Sequence, residues 1–478
     1  MKLESLLFRM PSMKVQRARR EEAQYHHILD AVGQTPLVRL PKSFDPSCRA
    51  TIWLKLEFMN PGGSIKDRIA RHMLLQAIAQ GQLRPGGWVV ESTSGNTGVG
   101  LAMASAALGY GCVLVIPDNI SAEKIATVKA LGAEVVLASS AAPPGDPGHY
   151  KEVGRRLAAE RPGSWWANQF ENPFNPEAHE RGTGPELWAQ CRQGLDIVVA
   201  GCGTGGTLAG LGRFFNQHHP QVRLVAADPE GSVYAHFWRH GTLPEPGNRH
   251  HVEGVGGDQV HGVFAREWID QFRTISEAEA MRTVHRLAKC TGIFAGASSG
   301  LALAAALEEG RESPPGSQIA VILPDSGSRY LSSAYDPDWR AAHGVDPPSC
   351  EPSATIRDLL AEPPAFSVDA KAPAETAYFL LHRRSLRPLP VIGDGRLLGV
   401  FDEAELLAAM ADGRDWQATP CDQWLQAAPP VLAAEDAWRQ TVPVLQHHPA
   451  LVVAGETYWS ALDRRHALRA FARLGLRP

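Results

Sequence analysis

Four short stretches pair reactive or anion-binding side chains with glycines that let the backbone come close to a ligand. In Asn60-Pro-Gly-Gly-Ser-Ile-Lys-Asp-Arg68, Lys66 falls where the glycines give way to a helix. A charged lysine there opposes the positive end of the helix dipole by about 0.3–1 kcal/mol. The position does nothing for a solubilising lysine, but it favours an amine that must be neutral to attack a carbonyl. In Ser92-Thr-Ser-Gly-Asn-Thr-Gly98, the hydroxyls of Thr93, Ser94 and Thr97 and the carboxamide of Asn96 form a cup of donors for a carboxylate. In Gly201-Cys-Gly-Thr-Gly-Gly-Thr207, residues Gly203, Thr204, Gly205, Gly206 and Thr207 offer backbone N–H groups at a helix start, which suits a phosphate monoester. The spacing is neither a Walker A nor a dinucleotide fingerprint. In Leu323-Pro-Asp-Ser-Gly-Ser-Arg-Tyr-Leu331, Ser326 is a short hydroxyl able to bond a ring nitrogen. Taken singly, each also has a plain structural reading: a helix start, a capped turn, a tight turn, a strand end.

The elements that carry these stretches alternate. Apolar runs at 51–58, 88–91, 112–117, 134–138, 196–200, 223–227 and 319–324 are rich in Val, Ile and Leu without polar alternation, as in strands covered on both faces. Amphipathic stretches at 122–131, 177–191 and 278–290 lie between them. The pattern predicts an α/β fold with mainly parallel sheets, which bind ligands at the Gly-rich turns after their strands. Residues 92–117 carry no charge but hold six glycines or asparagines that break them into helix, turn and strand, so buried core is the reading rather than a membrane span.

A Schiff-base lysine, a phosphate cup, a carboxylate cup and a serine for a ring nitrogen are together the parts needed to hold pyridoxal phosphate. Residues 28–345 resemble the cystathionine β-synthase and cysteine synthase family, the fold-type II pyridoxal-phosphate enzymes with two α/β subdomains. The resemblance runs through Gly33-Gln-Thr-Pro-Leu-Val-Arg39, 61–68, 92–98, Asn168-Gln-Phe-Glu-Asn-Pro173, 203–207, Glu253-Gly-Val-Gly256, Gly296-Ala-Ser-Ser-Gly300 and 324–332. Asp336-Pro-Asp-Trp339 looks more like the cystathionine β-synthase branch. The resemblance implies that Lys66 binds the cofactor covalently and acts as catalytic base. It implies that Asn96 bonds the ring hydroxyl, 203–207 hold the phosphate and Ser326 faces the pyridine nitrogen. Thr93, Ser94, Thr97 and Gln169 would take the substrate carboxylate. A neutral serine does not force the ring nitrogen to stay protonated, which favours elimination over transamination or racemisation. The implied reaction is β-replacement on L-serine or an activated serine, with homocysteine as acceptor. Cysteine synthase, another nucleophile, or a catalytically silent ligand sensor are the alternatives. Two departures bear on the acceptor: Gly257, where family members that make cystathionine carry an aromatic or acidic residue, and Gly182, where Thr is usual. No Cys precedes Cys48, so the Cys–His pair that binds haem in some animal members is not expected.

The organisation predicted is an N-terminal extension at 1–27, a catalytic domain at 28–345, a Pro-rich linker at 346–352 and a second domain at 353–478. That last part resembles a pair of CBS repeats, with weaker strands in its second copy. Adenosyl ligands in such repeats often meet a Ser/Thr and an Asp three residues later, a pair that Ser460 and Asp463 supply. The first copy has Asp402 and Glu405 instead, whose extra charge disfavours a nucleotide phosphate. Forty-seven Lys+Arg against 51 Asp+Glu, a net charge of −4, leave no basic field for nucleic acid or an anionic membrane. Seven scattered cysteines without a CxxC read as reduced thiols in a cytoplasmic protein. The 18 histidines lack metal-site spacing, and no metal is expected. A homodimer or higher homo-oligomer using small amino-acid substrates completes the expectation.

Overall fold

The computed structural model describes residues 25–478 apart from 94, 144, 192–193, 245–249, 346–354, 361–366, 385–387, 403–406, 408–415, 457 and 475–478. The chain divides into two compact units, one ending at Leu331 and one spanning Ser332–Pro478. The expected extension and linker lie almost wholly outside the described residues, and residues 332–345 fall in the second unit.

The first unit holds two sheets. One has six strands in the order β1 (Leu37–Arg39), β2 (Thr51–Leu56), β10 (Gln318–Leu323), β7 (Ile197–Gly201), β8 (Arg223–Pro229) and β9 (Gln271–Ile275). All its pairs are parallel except the edge pair β1–β2. The other has four parallel strands in the order β5 (Glu134–Ala138), β4 (Gly111–Pro117), β3 (Trp88–Ser92) and β6 (Ser164–Trp166). β7, β4 and β10 are buried almost residue by residue, which is why they read as unbroken apolar runs. Of this unit's strands, sequence reasoning missed β1 and β6, of three residues each, and β9, whose Gln-Phe-Arg-Thr-Ile alternates because it lies at a sheet edge.

The helices that serve the site are α1 (Lys66–Ala79), α2 (Asn96–Leu108), α3 (Ala122–Ala130), α4 (Phe174–Ala178), α5 (Gly184–Gln190) and α6 (Gly206–His218). The uncharged stretch 92–117 is the end of β3, then α2, then β4, with α2 buried from Thr97 to Ser105. Among the described residues no helix is long and apolar enough to cross a membrane. The single helix predicted over 177–191 is instead three pieces: α4, a π-helical turn at His179–Thr183, and α5. Gly182, Gly184 and Pro185 weaken helical continuity there, and the turn aims His179 at α6. Gly210 of α6 permits this approach, since a Cβ on it would stand 2.1 Å from the Pro176 carbonyl oxygen and 2.7 Å from His179 Cβ.

The second unit contains two three-stranded sheets of like topology. β11 (Val368–Asp369), β12 (Leu389–Gly393) and β13 (Arg396–Phe401) pair parallel then antiparallel, as do β14 (Val431–Ala433), β15 (Ala450–Ala454) and β16 (Trp459–Asp463). The predicted repeat is therefore present, but its copies are not packing units. The helix α7 (Ile356–Leu359), read as the opening of the first copy, packs its Ile356 and Leu359 with Trp438, Leu451 and Phe471 of the second. Cys421 and Trp424, read as the opening of the second, pack with Val391 and Phe401 of the first. Sequence order alone cannot reveal such an exchange, because each helix fits either sheet by hydrophobicity.

Gly210→Ala is expected to lower the unfolding free energy by about 1–3 kcal/mol through overpacking against backbone, read as the shift in denaturant midpoint.

Candidate active site

Lys66 is the first residue of α1, as its sequence position predicts, and Ser64 Oγ accepts its N–H at 3.2 Å. The preceding loop is held from several sides. Gly62 N donates to Asp67 at 2.6 Å, Arg329 donates to the Gly62 carbonyl, and Ile65 N reaches the Pro324 carbonyl at 2.8 Å. Gly63 adopts a left-handed φ of +80°, which explains a glycine there. Burial pushes the Lys66 amine down to about 8, although the charge of Asp325 pulls the other way. The neutral amine is thus far more populated than on an ordinary lysine.

Two residues along α1, Arg68 donates to Glu57 at 2.6 and 2.8 Å and to Glu186 at 2.9 and 3.1 Å. Lys55 completes the cluster through Glu186, and Thr35 Oγ1 donates to Glu57 at 2.7 Å. Burial alone would raise the Glu57 carboxyl, but Arg68 outweighs it and holds it below the usual range. These charges join β2, α1 and α5 and fix the direction of the first turn of α1.

The carboxylate cup is assembled at the end of β3. Thr93 is buried, with Gly95 N donating to its hydroxyl at 3.3 Å, and Thr97 donates to Gln169 Oε1 at 2.7 Å. Ser94 lies outside the described residues. Beneath the cup Glu91 accepts the N–H groups of Gln169 at 3.1 Å and Ser92 at 2.9 Å, yet burial drives its carboxyl up to about 8. A protonated Glu91 does not repel a bound carboxylate.

The loop of Gly203, Thr204, Gly205, Gly206 and Thr207 runs from β7 into α6. Its glycines are demanded by contact. A Cβ at Gly203 would stand 2.3 Å from the Gly254 carbonyl, one at Gly205 2.8 Å from Phe264, and one at Gly206 2.1 Å from Asn175 Oδ1; Gly205 also has φ +91°. Asn175, which sequence reasoning missed, donates to the Gln169 carbonyl at 2.7 Å and to Thr204 Oγ1 at 3.2 Å, so it ties the cup to the loop. It lies two residues past the quoted motif 168–173, which was the available signal. His179 was missed too. Its ring nitrogens meet Thr207 Oγ1 at 3.2 Å and Thr183 Oγ1 at 2.9 Å. Burial, helped by the charges of Lys66 and Arg68, keeps this histidine neutral. A glycine cradle, two threonines, a helix N-terminus whose first N–H groups lack intrahelical acceptors and a nearby lysine of lowered basicity fit the phosphate and aldehyde of pyridoxal phosphate.

The strand-end stretch after β10 closes the site. Asp325 accepts Asn96 Nδ2 at 2.9 Å and the Tyr330 hydroxyl, while Arg329 donates to Asn96 Oδ1. Asp325 and Arg329 therefore set the orientation of the Asn96 amide, with its NH₂ kept as the donor end. Ser326 Oγ accepts Ser328 N at 3.3 Å and lies 3.0 Å from Ser328 Oγ. The structure thus brings Lys66, Asn96, Thr93, Thr97, Gln169, the loop 203–207 and Ser326 into one linked set. Ser460 and Asp463 belong to the second unit. Ser460 is buried in β16 opposite Val453, and the Asp463 carboxylate accepts His466 N at 2.7 Å and contacts its ring at 2.8 Å, at the start of the helix α8 (Arg464–Leu474). Among the described residues no cluster suited to a metal ion occurs.

A family model described as pyridoxal-phosphate dependent enzyme matches residues 28–325, and one described as CBS domain matches residues 356–412. The chain is 34% identical over 408 residues to the cystathionine beta-synthase of Dictyostelium discoideum, a match covering 83% of this chain and 80% of that one. It is 40% identical over 327 residues to that of Apis mellifera, covering 68% of this chain and 64% of the bee protein. The chain thus spans just under two thirds of the bee relative. Among solved structures, O-ureido-L-serine synthase matches with a TM-score of 0.60 at 38% identity, covering 65% of this chain and 94% of that one. An O-acetylserine dependent cystathionine beta-synthase from Helicobacter pylori matches with a TM-score of 0.59 at 35% identity, covering 65% and 98%.

In the cofactor-free protein, Lys66 is expected to lose its proton near pH 8, so its labelling by an amine reagent rises through that pH rather than near 10.5. In Asp325→Asn the midpoint moves lower still, because the anion that favours the ammonium is gone. Mass spectrometry of the labelled peptide across pH measures both.

Proposed function

Because the chain belongs to the pyridoxal-phosphate dependent enzymes of the cystathionine β-synthase family, we propose that it catalyses β-replacement on L-serine or an activated serine, with homocysteine as acceptor. The observation that carries this reading is Lys66: an amine lowered to about 8, at the start of α1, beside the linked phosphate and carboxylate cups. Bound pyridoxal phosphate supplies an electron sink for charge developing at the substrate Cα. Lys66 would hold the cofactor through its amine and, once released from it, take the Cα proton. Thr93, Ser94, Thr97 and Gln169 would orient the substrate carboxylate above a protonated Glu91. Gly203, Thr204, Gly205, Gly206 and Thr207 would hold the phosphate, with His179 and Asn175 fixing the two threonines. Asn96, oriented by Asp325 and Arg329, would donate to the ring hydroxyl. Ser326, when Ser328 donates to it, keeps its own proton to give to the ring nitrogen.

Gly257 supports a second reading in which a different nucleophile is used. A Cβ there would meet nothing closer than 3.5 Å, so packing does not demand glycine and the missing side chain leaves room for other acceptors. In this proposal residues 28–345 form the catalytic domain and 353–478 a regulatory pair, in a cytoplasmic homodimer. An adenosyl ligand at Ser460 and Asp463 would require Asp463 to exchange its contact with His466 for a ribose hydroxyl. Glu405 of the first copy lies outside the described residues.

The purified protein is expected to show a visible imine band that Lys66→Ala abolishes, and to form a thioether from serine and homocysteine seen by mass spectrometry. No band, or a band unchanged in Lys66→Ala, overturns the enzyme reading. Sulfide used far better than homocysteine moves it to cysteine synthase.

A further inference from the structure

The loop 257–264 carries Gly257 and is moored from two sides. At its start, Gly256 N donates to the Cys202 carbonyl at 2.7 Å and Val233 N to the Gly257 carbonyl at 3.0 Å, so it is tied to the six-stranded sheet beyond β7 and β8. Its other moorings go to Phe170 and Glu171. Val263 N donates to the Phe170 carbonyl at 3.2 Å, and Gly262 N to Glu171 Oε1 at 3.1 Å. A Cβ at Gly262 would stand 1.9 Å from the second oxygen of Glu171, so the contact demands glycine. The His261 ring lies 4.3 Å from the Phe170 ring at 45°. The Lys151 ammonium stands over the same Phe170 ring, 4.3 Å from its centroid.

Lys151 is the second residue of the helix Tyr150–Glu160, which is fixed against the end of β3. Ser92 Oγ donates to the Tyr150 carbonyl at 3.0 Å, and a Cβ at Gly154 would stand 2.0 Å from that oxygen. A lysine kept for solubility would extend into water. Lys151 is half-buried instead, and among the described residues no acceptor lies within hydrogen-bond reach of its ammonium. Burial lowers its basicity, against the longer-range pull of Asp258, Glu171 and Glu91. Taking an ammonium out of water without a hydrogen bond is costly, and one aromatic face repays only part of the cost. A methionine would fill the space without it. What the lysine adds is charge, and that charge acts on the Phe170 ring and on Asp258, which follows Gly257. Phe170 in turn follows Gln169, which accepts Thr97 in the carboxylate cup at 2.7 Å.

We propose that Lys151 is a positioning residue for the acceptor: its ammonium, held over Phe170 and attracting Asp258, sets the loop 257–264 against Gln169 and so fixes the acceptor's space at Gly257. The proposal rests on the β-replacement reading, because it presumes an acceptor. Lys151 acts through the loop and takes no part in the steps that precede the acceptor's arrival.

Two measurements on the full-length holoenzyme test it. One is the change of the imine band on mixing with the serine-type donor alone. The other is steady-state kinetics at saturating donor with homocysteine and with sulfide. Lys151→Met is expected to raise the acceptor KM roughly 3- to 30-fold, with kcat and the donor-only reaction within about twofold of wild type. Lys151→Arg, which keeps a cation over the ring, is expected to recover most of the loss. Asp258→Asn is expected to raise the acceptor KM as well, and to add little in the Lys151→Met background, because both act through one loop. An unchanged acceptor KM in Lys151→Met, or an equal loss in the donor-only reaction, overturns the positioning role. So do fully additive losses in the double variant. Should Lys151→Met fail to fold, Asp258→Asn decides alone, since its carboxylate is exposed: an unchanged acceptor KM overturns the role. A wild-type enzyme inert with every acceptor overturns β-replacement itself.

Discussion

The site depends on a buried guanidinium two residues beyond the lysine. Arg68 is in the first turn of α1 and divides its donors between Glu57, which follows β2, and Glu186 of α5. Buried charges of this kind rarely add net stability, because the loss of hydration offsets the attraction. What they do is forbid alternatives: any rotation of α1 would pull the guanidinium away from two buried carboxylates at once. The approach is tight, since a Cβ at Gly33 would stand 3.1 Å from the Arg68 guanidinium and Gly33 also has φ +96°. The start of α1, and with it Lys66, is fixed by this cluster before any ligand contributes.

From that fixed point the chemistry follows from position in the two sheets. The cup lies at the end of β3, the glycine loop at the end of β7 and the Asp325 stretch at the end of β10, all carboxyl ends of parallel strands. Helix starts supply donors there, and burial removes competing charge. His179 is neutral, and Glu91 is shifted up to about 8. The net effect is a pocket whose fixed dipoles favour anions while few of its own anions remain charged.

Much of this was legible in the sequence, for reasons that are local. Glycines packed at contact distance leave a mark in composition, and strands buried on both faces leave runs, so the loop 203–207 and the strands β2, β3, β4, β5, β7, β8 and β10 could be read from neighbouring residues. Partners brought together only by folding could not. Asp325 meets Asn96 across 229 positions, and Lys124 meets Glu253 across 129. Asn175 and His179 were hidden differently: Asn175 falls in the gap between the motif 168–173 and the stretch 177–191, and the helical periodicity of 177–191 masks the π turn that aims His179 at Thr207.

The exchange of helices in the second unit bears on how that unit is made. Ile356 and Leu359 find their packing partners in Leu451 and Phe471, more than ninety residues later in the chain. At ribosomal speed those partners emerge on the order of ten seconds after α7 does. During that interval the first sheet can pair its strands, but α7 has no finished core to join. The core that holds α7 therefore closes only after Leu451 and Phe471 have been made. A chain cut between its two sheets would leave apolar helix faces on both fragments despite their repeated topology.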